Sequence, residues 1–212
     1  MGLSFMLKIG IGIPTVNRKD LLDQALSTYY RLYSHAPFFI LDNGEQGFSN
    51  NSWYKLLTVG ANLGVATSWN VLLTNIFNSG CDYALILNDD IVFDKSLEEI
   101  SEFVEANPAP LYGSKYHMFC AFLLHRNLFD YMKFDPMFYP AYWEDTDYLR
   151  RVKLAGILYL QDDFFFPRIF RKSASIARLP NLDLAYKNEF LYTMKWGGTR
   201  DHEQWNTPYG RR

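Results

Sequence analysis

Apolar residues along this chain fall into two alternating patterns. Short continuous runs, from Lys8 to Pro14, Phe38 to Asp42, Leu56 to Val59 and Tyr83 to Leu87, have the length and composition of buried strands. Between them, Leu21, Leu22, Ala25, Leu26 and Tyr29 recur at helical spacing, as do Val65, Trp69, Leu72, Leu73 and Ile76. Ser96 and Glu99 have capping-box spacing and open a further helix, with Leu97, Ile100, Phe103 and Val104 facing inward. This alternation predicts an α/β fold with a mostly parallel central sheet flanked by helices.

After Pro110 the segments become longer and more aromatic. They comprise Tyr116 to Leu124, a helical pattern from Leu128 to Met132, a loop around Pro136 and Pro140, and a helix from Glu144 to Ala155 that Gly156 caps. A strand pattern from Ile157 to Phe166 follows, then a helix from about Leu182 to Trp196 that ends at Gly197-Gly198. The expected organisation is a single domain over 1–212, with a nucleotide-binding half (about 7–110), an acceptor-binding half (about 111–198) and a polar tail (199–212). That tail is compatible with a linker to a further domain C-terminal to 212.

Composition narrows the function classes. The 212 residues are 49% hydrophobic and 21% charged, as in ordinary globular proteins. A net charge of -2 leaves no electrostatic footprint for nucleic acid or an anionic membrane. No run approaches the roughly 20 apolar residues of a membrane span, and no secretory signal stands at the N-terminus. Met6 occupies the position where a myristoylation pattern on Gly2 needs Ser or Thr. Cys81 and Cys120 lack zinc or disulfide-framework spacing, so a cytoplasmic location is expected. Aromatic residues make up 17% of the chain and serve either a core or flat ligand faces.

Parallel sheets bind ligands beyond the carboxyl ends of their strands. Each such end here is polar: Pro14, Thr15, Val16, Asn17 and Arg18; Asp42, Asn43 and Gly44; Asn62, Leu63 and Gly64; Asn88, Asp89 and Asp90. Singly, each has a structural explanation as a helix cap, a turn or surface charge; their shared edge points to a ligand site. Gly10 and Gly12 lead into Ile13-Pro14, so neither a dinucleotide fingerprint nor a P-loop is present. Asp90, with Asn88 or Asp89, suffices for a Mg²⁺ or Mn²⁺ ion that completes its shell with phosphate oxygens. A second acidic cluster, Glu144, Asp145 and Asp147, opens a helix. It either complements the helix dipole, with Asp147 paired to Arg151, or supplies a base for a substrate hydroxyl. Phe129, Tyr131, Phe134, Phe138, Tyr139, Tyr142, Trp143 and Tyr148 surround it, and one or two of them at a cleft rim would make a sugar platform.

In order, these residues resemble the GT-A, family-2 type of nucleotide-sugar glycosyltransferase. The likeness runs over about 7–175, through Ile13 to Arg18, Leu41 to Gly44, Asn62 to Gly64 with Asn70, Leu87 to Asp90, Glu144 to Arg151 and Ala155-Gly156. Lys195-Trp196-Gly197-Gly198 also resembles the end of some rhamnosyltransferase-like members. The resemblance implies a GT-A fold with a Rossmann-like first half. It implies metal-dependent, inverting transfer from a nucleotide-sugar, with UDP favoured, to a hydroxyl of a glycan or other acceptor. It places Pro14, Thr15, Asn17, Arg18, Asp42, Asn62, Gly64, Asn70, Asn88 and Asp89 at the donor, and Asp90 on the metal, Mn²⁺ or Mg²⁺. It makes Asp145 the catalytic base; the cluster beside that base offers Tyr142, Trp143 and Glu144 as acceptor residues, and Arg171 or Lys172 is the alternative diphosphate contact where the family's histidine is absent. Three positions depart from that pattern: Asn88 opens the D-x-D-like motif, Trp69 stands where arginine often precedes Asn70, and no histidine shortly precedes Ser175. Only His202 lies in a segment able to close late over the site. Two other readings share the fold: sugar-phosphate nucleotidyl transfer, and a non-catalytic nucleotide- or carbohydrate-binding module.

Overall fold

A computed structural model describes residues 7–49, 51–116, 119–169 and 183–211. Its elements are β1 (Ile9–Thr15), α1 (Lys19–Tyr33), β2 (Phe38–Asp42), β3 (Lys55–Thr58), α2 (Val65–Asn78), β4 (Tyr83–Leu87), β5 (Ile91–Val92) and α3 (Leu97–Ala106). They continue with β6 (Leu111–Gly113), β7 (Ala121–His125), α4 (Arg126–Tyr131), α5 (Glu144–Leu154), β8 (Leu160–Gln161), β9 (Arg168–Ile169) and α6 (Asp183–Trp196).

The main sheet has the order β3-β2-β1-β4-β7-β6-β8. β1 is parallel to both β2 and β4, and β2 to β3. β7 alone is reversed, antiparallel to β4 and β6, because it follows directly as the returning strand of β6. β5 pairs with β9 in a separate ribbon.

The central strands read as unbroken apolar runs because both their faces are covered. Ile9, Ile11, Ile13, Phe38, Ile40, Leu85 and Leu87 pack on the side of α1 and α3. Phe39, Leu41, Ala84 and Ile86 pack on the opposite side, with Trp69, Leu72 and Ile76 of α2. Gly10 and Gly12 lie on this second face, and their role is steric. A Cβ at Gly10 would stand 2.6 Å from Ile76 Cγ2 and 2.9 Å from Cys81 Sγ, and one at Gly12 would stand 3.2 Å from Leu72 Cβ. These glycines let α2 seat directly on β1.

The expected capping box forms: Glu99 N–H donates to Ser96 Oγ at 3.2 Å and Ser96 N–H to Glu99 Oε2 at 2.7 Å. The expected strand from Ile157 to Phe166 is reduced to β8 followed by a 3-10 turn, Asp163–Phe165. Asp162 Oδ1 accepts from Phe164 N–H at 2.8 Å and starts that turn. The turn seats Phe165 in the core, stacked on Phe93 and Tyr112 at 5.9 and 5.7 Å. Aromatic packing therefore overrides extension in this segment.

Gly10→Ala overpacks the α2–β1 seam and is expected to lower unfolding stability by about 1–3 kcal/mol in denaturant titration; an unchanged midpoint would show that the seam has slack.

Candidate functional site

A cavity of about 1150 Å³ opens at the carboxyl edge of β1 and β4, between these strand ends and the start of α5. Ligand pockets typically enclose about 300–1000 Å³, so this one lies slightly above that range. Thr15, Arg18, Asn88, Asp90, Tyr142 and Asp145 are among its lining residues. The sheet order reverses at β1, and a strand-order reversal is where open α/β sheets bind ligands.

The β1 and β2 loops are joined through Gln46, a residue that sequence reading missed. Its Oε1 accepts from the N–H groups of Arg18 and Lys19 at 2.6 and 2.8 Å, caring for the start of α1, which has no side-chain cap of its own. Its Nε2 donates to Asp42 Oδ1 at 2.9 Å and to Thr15 Oγ1 at 3.2 Å. Asp42 also accepts from the N–H groups of Gly44 and Gln46 at 2.9 and 2.8 Å. Its carboxylate is thereby engaged within the loop, and the cavity is lined by neighbouring Asn43 instead. Asn70 is likewise engaged in structure, exchanging hydrogen bonds with the Phe134 backbone at 2.8 and 3.0 Å.

The remaining donor-side candidates converge. Pro14, Thr15, Asn17, Arg18, Asn62, Gly64, Asn88, Asp89 and Asp90 all line the cavity. Arg18 is 6% exposed, and its Nη1 is buried without a partner among the described residues. Gly64, at φ +75°, is pressed against the far wall: a Cβ there would meet the Tyr139 ring at 2.8 Å and the Pro140 carbonyl at 2.9 Å. Val65 N–H donates to that same carbonyl at 2.8 Å.

Burial pushes the Asp89 carboxyl up to about 7; hydrogen bonds from Thr15 and the Val16 N–H act against this, while the charge of Asp90 adds to it. Asp89 is thus turned toward the β1 loop, and Asp90 lines the cavity beside it. Among the described residues no group of three His, Cys, Asp or Glu could hold a metal unaided. The donor set of Asp90 and Asn88 fits an ion that shares its shell with a bound diphosphate, as Mg²⁺ and Mn²⁺ do. His202 is exposed and does not line the cavity. Arg171 and Lys172 lie outside the described residues.

The opposite wall begins with unusual backbone. Tyr142 and Trp143 both have φ +74°, a left-handed conformation that costs about 1–3 kcal/mol per residue. Asn188 holds this bend, donating from Nδ2 to the carbonyls of Ala141 and Tyr142 at 2.8 and 3.3 Å. Trp143 turns away from the cavity and packs on Tyr192 with ring centroids 4.9 Å apart. Of the aromatic cluster around the acidic residues, only Tyr142 reaches the cavity; Phe129, Phe134, Phe138 and Tyr148 are core.

Glu144 and Asp145 line the cavity, and Asp145 Oδ1 accepts from its neighbour Thr146 N–H at 2.7 Å. Burial, reinforced by the charge of Asp145, holds the Glu144 carboxyl well above its ordinary value.

Asp147 points the other way. Fully buried, it accepts from Arg151 Nε at 2.8 Å and Trp196 Nε1 at 2.9 Å, with Lys195 Nζ at 2.7 Å. Lys195 also pairs with Asp135 at 2.7 Å. The Lys195-Trp196-Gly197-Gly198 stretch is therefore an anchor for α5. Beyond it the chain folds back: Trp205 N–H donates to Trp196 O at 3.0 Å, and Trp205 covers Gly197. Glu203 bonds the Tyr192 hydroxyl and pairs with Arg150 at 3.2 Å.

No protein-family model and no curated protein matches the sequence. Solved structures do match in shape. A mannosyltransferase from Pyrobaculum calidifontis, solved with GDP-Man and Mn²⁺, superposes with a TM-score of 0.62 at 11% identity, over 82% of this chain and 60% of that one. Glucosyl-3-phosphoglycerate synthase from Mycobacterium tuberculosis, in complex with Mn²⁺, UDP and phosphoglyceric acid, gives a TM-score of 0.51 at 12% identity, over 73% and 68% of the two chains. The chain has the GT-A-type fold. It spans only about 60% of the length of the mannosyltransferase, so that protein's activity is not transferred with the shape.

Two stability predictions follow from this GT-A-type site. Removing one partner of a buried ion pair typically costs about 3–5 kcal/mol. Lys195→Ala is expected to fall at the lower end, since Arg151 still pairs with Asp147; a loss below about 1 kcal/mol in denaturant melts would contradict an anchoring role.

The second concerns pH. The folded state keeps the Glu144 proton that the unfolded chain releases above about pH 4.5. Stability from this group is complete at lower pH and is lost as pH rises toward the folded-state value. Glu144→Gln lacks that loss, so its Tm relative to the parent should climb as pH rises above about 4.5; a constant difference would contradict a raised carboxyl.

Proposed function

We propose that this protein is a divalent-metal-dependent, inverting glycosyltransferase. It transfers a sugar from a nucleotide-sugar, UDP-linked in the favoured case, to a hydroxyl of a glycan or other acceptor. One observation carries this reading: Asp145 lines the same cavity as the Asn88-Asp89-Asp90 loop and the Thr15 to Arg18 loop. A base, a metal-capable carboxylate and a nucleotide-binding sheet edge then serve one reaction.

In this reading the β1 and β4 loops hold the nucleotide. Arg18, with its unpartnered Nη1, provides a cationic donor for an anionic oxygen. Asp90 and Asn88 would hold Mn²⁺ or Mg²⁺, which supplies neutralisation of the charge on the departing diphosphate. Asp145 accepts the proton of the acceptor hydroxyl as that oxygen forms its bond to the anomeric carbon. The bond from that carbon to the diphosphate oxygen breaks, its electrons leave on the nucleoside diphosphate, and a single displacement inverts the configuration. Tyr142 and Glu144 belong beside the reacting sugars, and Trp143 supports them by packing.

The cavity is partly open, and among the described residues no helix is long and apolar enough to cross a membrane.

Asp145→Asn is expected to lower turnover about 10²–10⁴-fold, the usual contribution of a general base, with nucleoside diphosphate affinity retained. Asp90→Ala should remove the Mn²⁺-dependent part of that affinity. Undiminished turnover by Asp145→Asn would overturn the assignment of the base.

A further inference from the structure

The cavity has a second cationic end, away from the sheet edge. Arg150 and Lys153 of α5 line it, and so do Arg200, Asp201 and Glu203 of the segment that folds back after α6. The sheet edge has cations of its own, Arg18 after β1 and Lys115 after β6. An α-helix rises about 1.5 Å per residue, so Arg150 and Lys153 stand roughly 8 and 12 Å along α5 from Asp145.

Arg150 is built into this end. Its Nη2 donates to the Trp205 carbonyl at 2.6 Å, its Nη1 pairs with Glu203 at 3.2 Å, and its guanidinium lies over the Trp196 ring. The Tyr192 hydroxyl holds Glu203 in turn. The Nε of Arg150 is buried and has no partner among the described residues. The Tyr142 hydroxyl and Glu144 Oε2 on the same wall are also unpartnered there, but burial and the charge of Asp145 hold Glu144 in its neutral form. Arg150 is therefore the charged member of the three. Buried polar groups are ordinarily hydrogen-bonded, and an unmet N–H on a permanent cation calls for an anionic oxygen.

The neighbouring charges favour the same ligand. Lys153 is exposed and forms no ion pair among the described residues, and Arg200 pairs with Asp201 at 3.6 Å. Beyond the first turn of α5, three cations thus face two carboxylates, and both carboxylates are already engaged. A donor diphosphate held at the Asn88 to Asp90 loop belongs to the sheet edge, which leaves this end to the second reactant.

We infer that this end is an anion subsite, in which Arg150, Lys153 and Arg200 receive a carboxylate or phosphate group carried by the acceptor while its reacting hydroxyl stands at Asp145. The inference rests on the glycosyltransferase reading and narrows the acceptor to an anionic one. Carboxylate and phosphate both accept the charge-assisted hydrogen bonds that this end offers, and the test separates them.

The test is calorimetry on the parent, Arg150→Gln, Arg150→Lys and Lys153→Gln, each saturated with Mn²⁺ and UDP or, in a second series, GDP. Saturation closes the donor site to other phosphates. Three probes are compared for glucose and for mannose: the neutral methyl glycoside, the methyl glycoside of the uronic acid, and the methyl glycoside 6-phosphate. In the parent, an anionic probe should bind about tenfold or more tightly than its neutral counterpart, as hydrogen bonds to charged groups predict, and the probe that does so identifies the group. That preference should fall about tenfold in Arg150→Gln and about threefold in Lys153→Gln, where the lost cation is exposed. Arg150→Lys keeps a cation for Glu203 and serves where Arg150→Gln does not fold; its preference should lie between those of the parent and Arg150→Gln. Nucleoside diphosphate affinity should agree across the four proteins and so report folding. A parent that binds neutral and anionic probes alike, or binds no probe, overturns the subsite. So does a preference that survives intact in Lys153→Gln and in the folded Arg150 variants. A parent that binds no nucleoside diphosphate overturns the glycosyltransferase reading beneath it.

Discussion

The buried carboxylate of Asp147 is the constraint on which the α5 side of the cavity depends. Without donors such a group would be costly to bury, and here Lys195, Arg151 and the Trp196 indole all reach it. Residues two apart on a helix point in different directions, so locking Asp147 against α6 turns Asp145 toward the cavity. The same lock bears the strain of Tyr142 and Trp143, because Trp143 packs on α6 while Tyr142 faces inward. One polar interaction thereby fixes the approach to α5 and the orientation of its first turn.

The sheet-edge side of the cavity is organised differently, by loop-to-loop hydrogen bonds. Gln46 couples the ends of β1 and β2, and Asp42 completes that coupling. Glycines in β1 bring α2 close, and α2 begins at Gly64, where the two walls touch through Pro140. Tyr29 on α1 donates to the Ile91 carbonyl at 2.9 Å and steadies the segment after Asp90. The carboxylates on the two walls thus face a common space while standing on separate, braced elements.

Features written in local pattern were legible in the chain itself. The doubly covered strands appeared as continuous apolar runs, Ser96 and Glu99 announced their capping box, and Asn88-Asp89-Asp90 stood directly after a buried strand. Features settled by a particular side-chain partner were not legible. Asp42 looked free because its engagement depends on the side chain of Gln46. Trp143 looked like a platform because nothing nearby announces Tyr192. Lys195 and Trp196 show no purpose in the local sequence because their partner, Asp147, stands on α5. The strand expected from Ile157 to Phe166 gave way because aromatic contacts with Phe93 and Tyr112 outweighed its pattern. Except at Asp42, whose partners Gly44 and Gln46 are local, the missing contact was a tertiary one that no short window of sequence contains.

The central claim is that one cavity joins a nucleotide-sugar to a base. It is tested most directly by incubating the unaltered protein with Mn²⁺ and a panel of nucleotide-sugars and following the phosphorus-containing product. The account predicts metal-dependent release of a nucleoside diphosphate from at least one member, accelerated by a hydroxyl acceptor. Pyrophosphate release from a nucleoside triphosphate and a sugar phosphate, with no diphosphate release from any nucleotide-sugar, would contradict it.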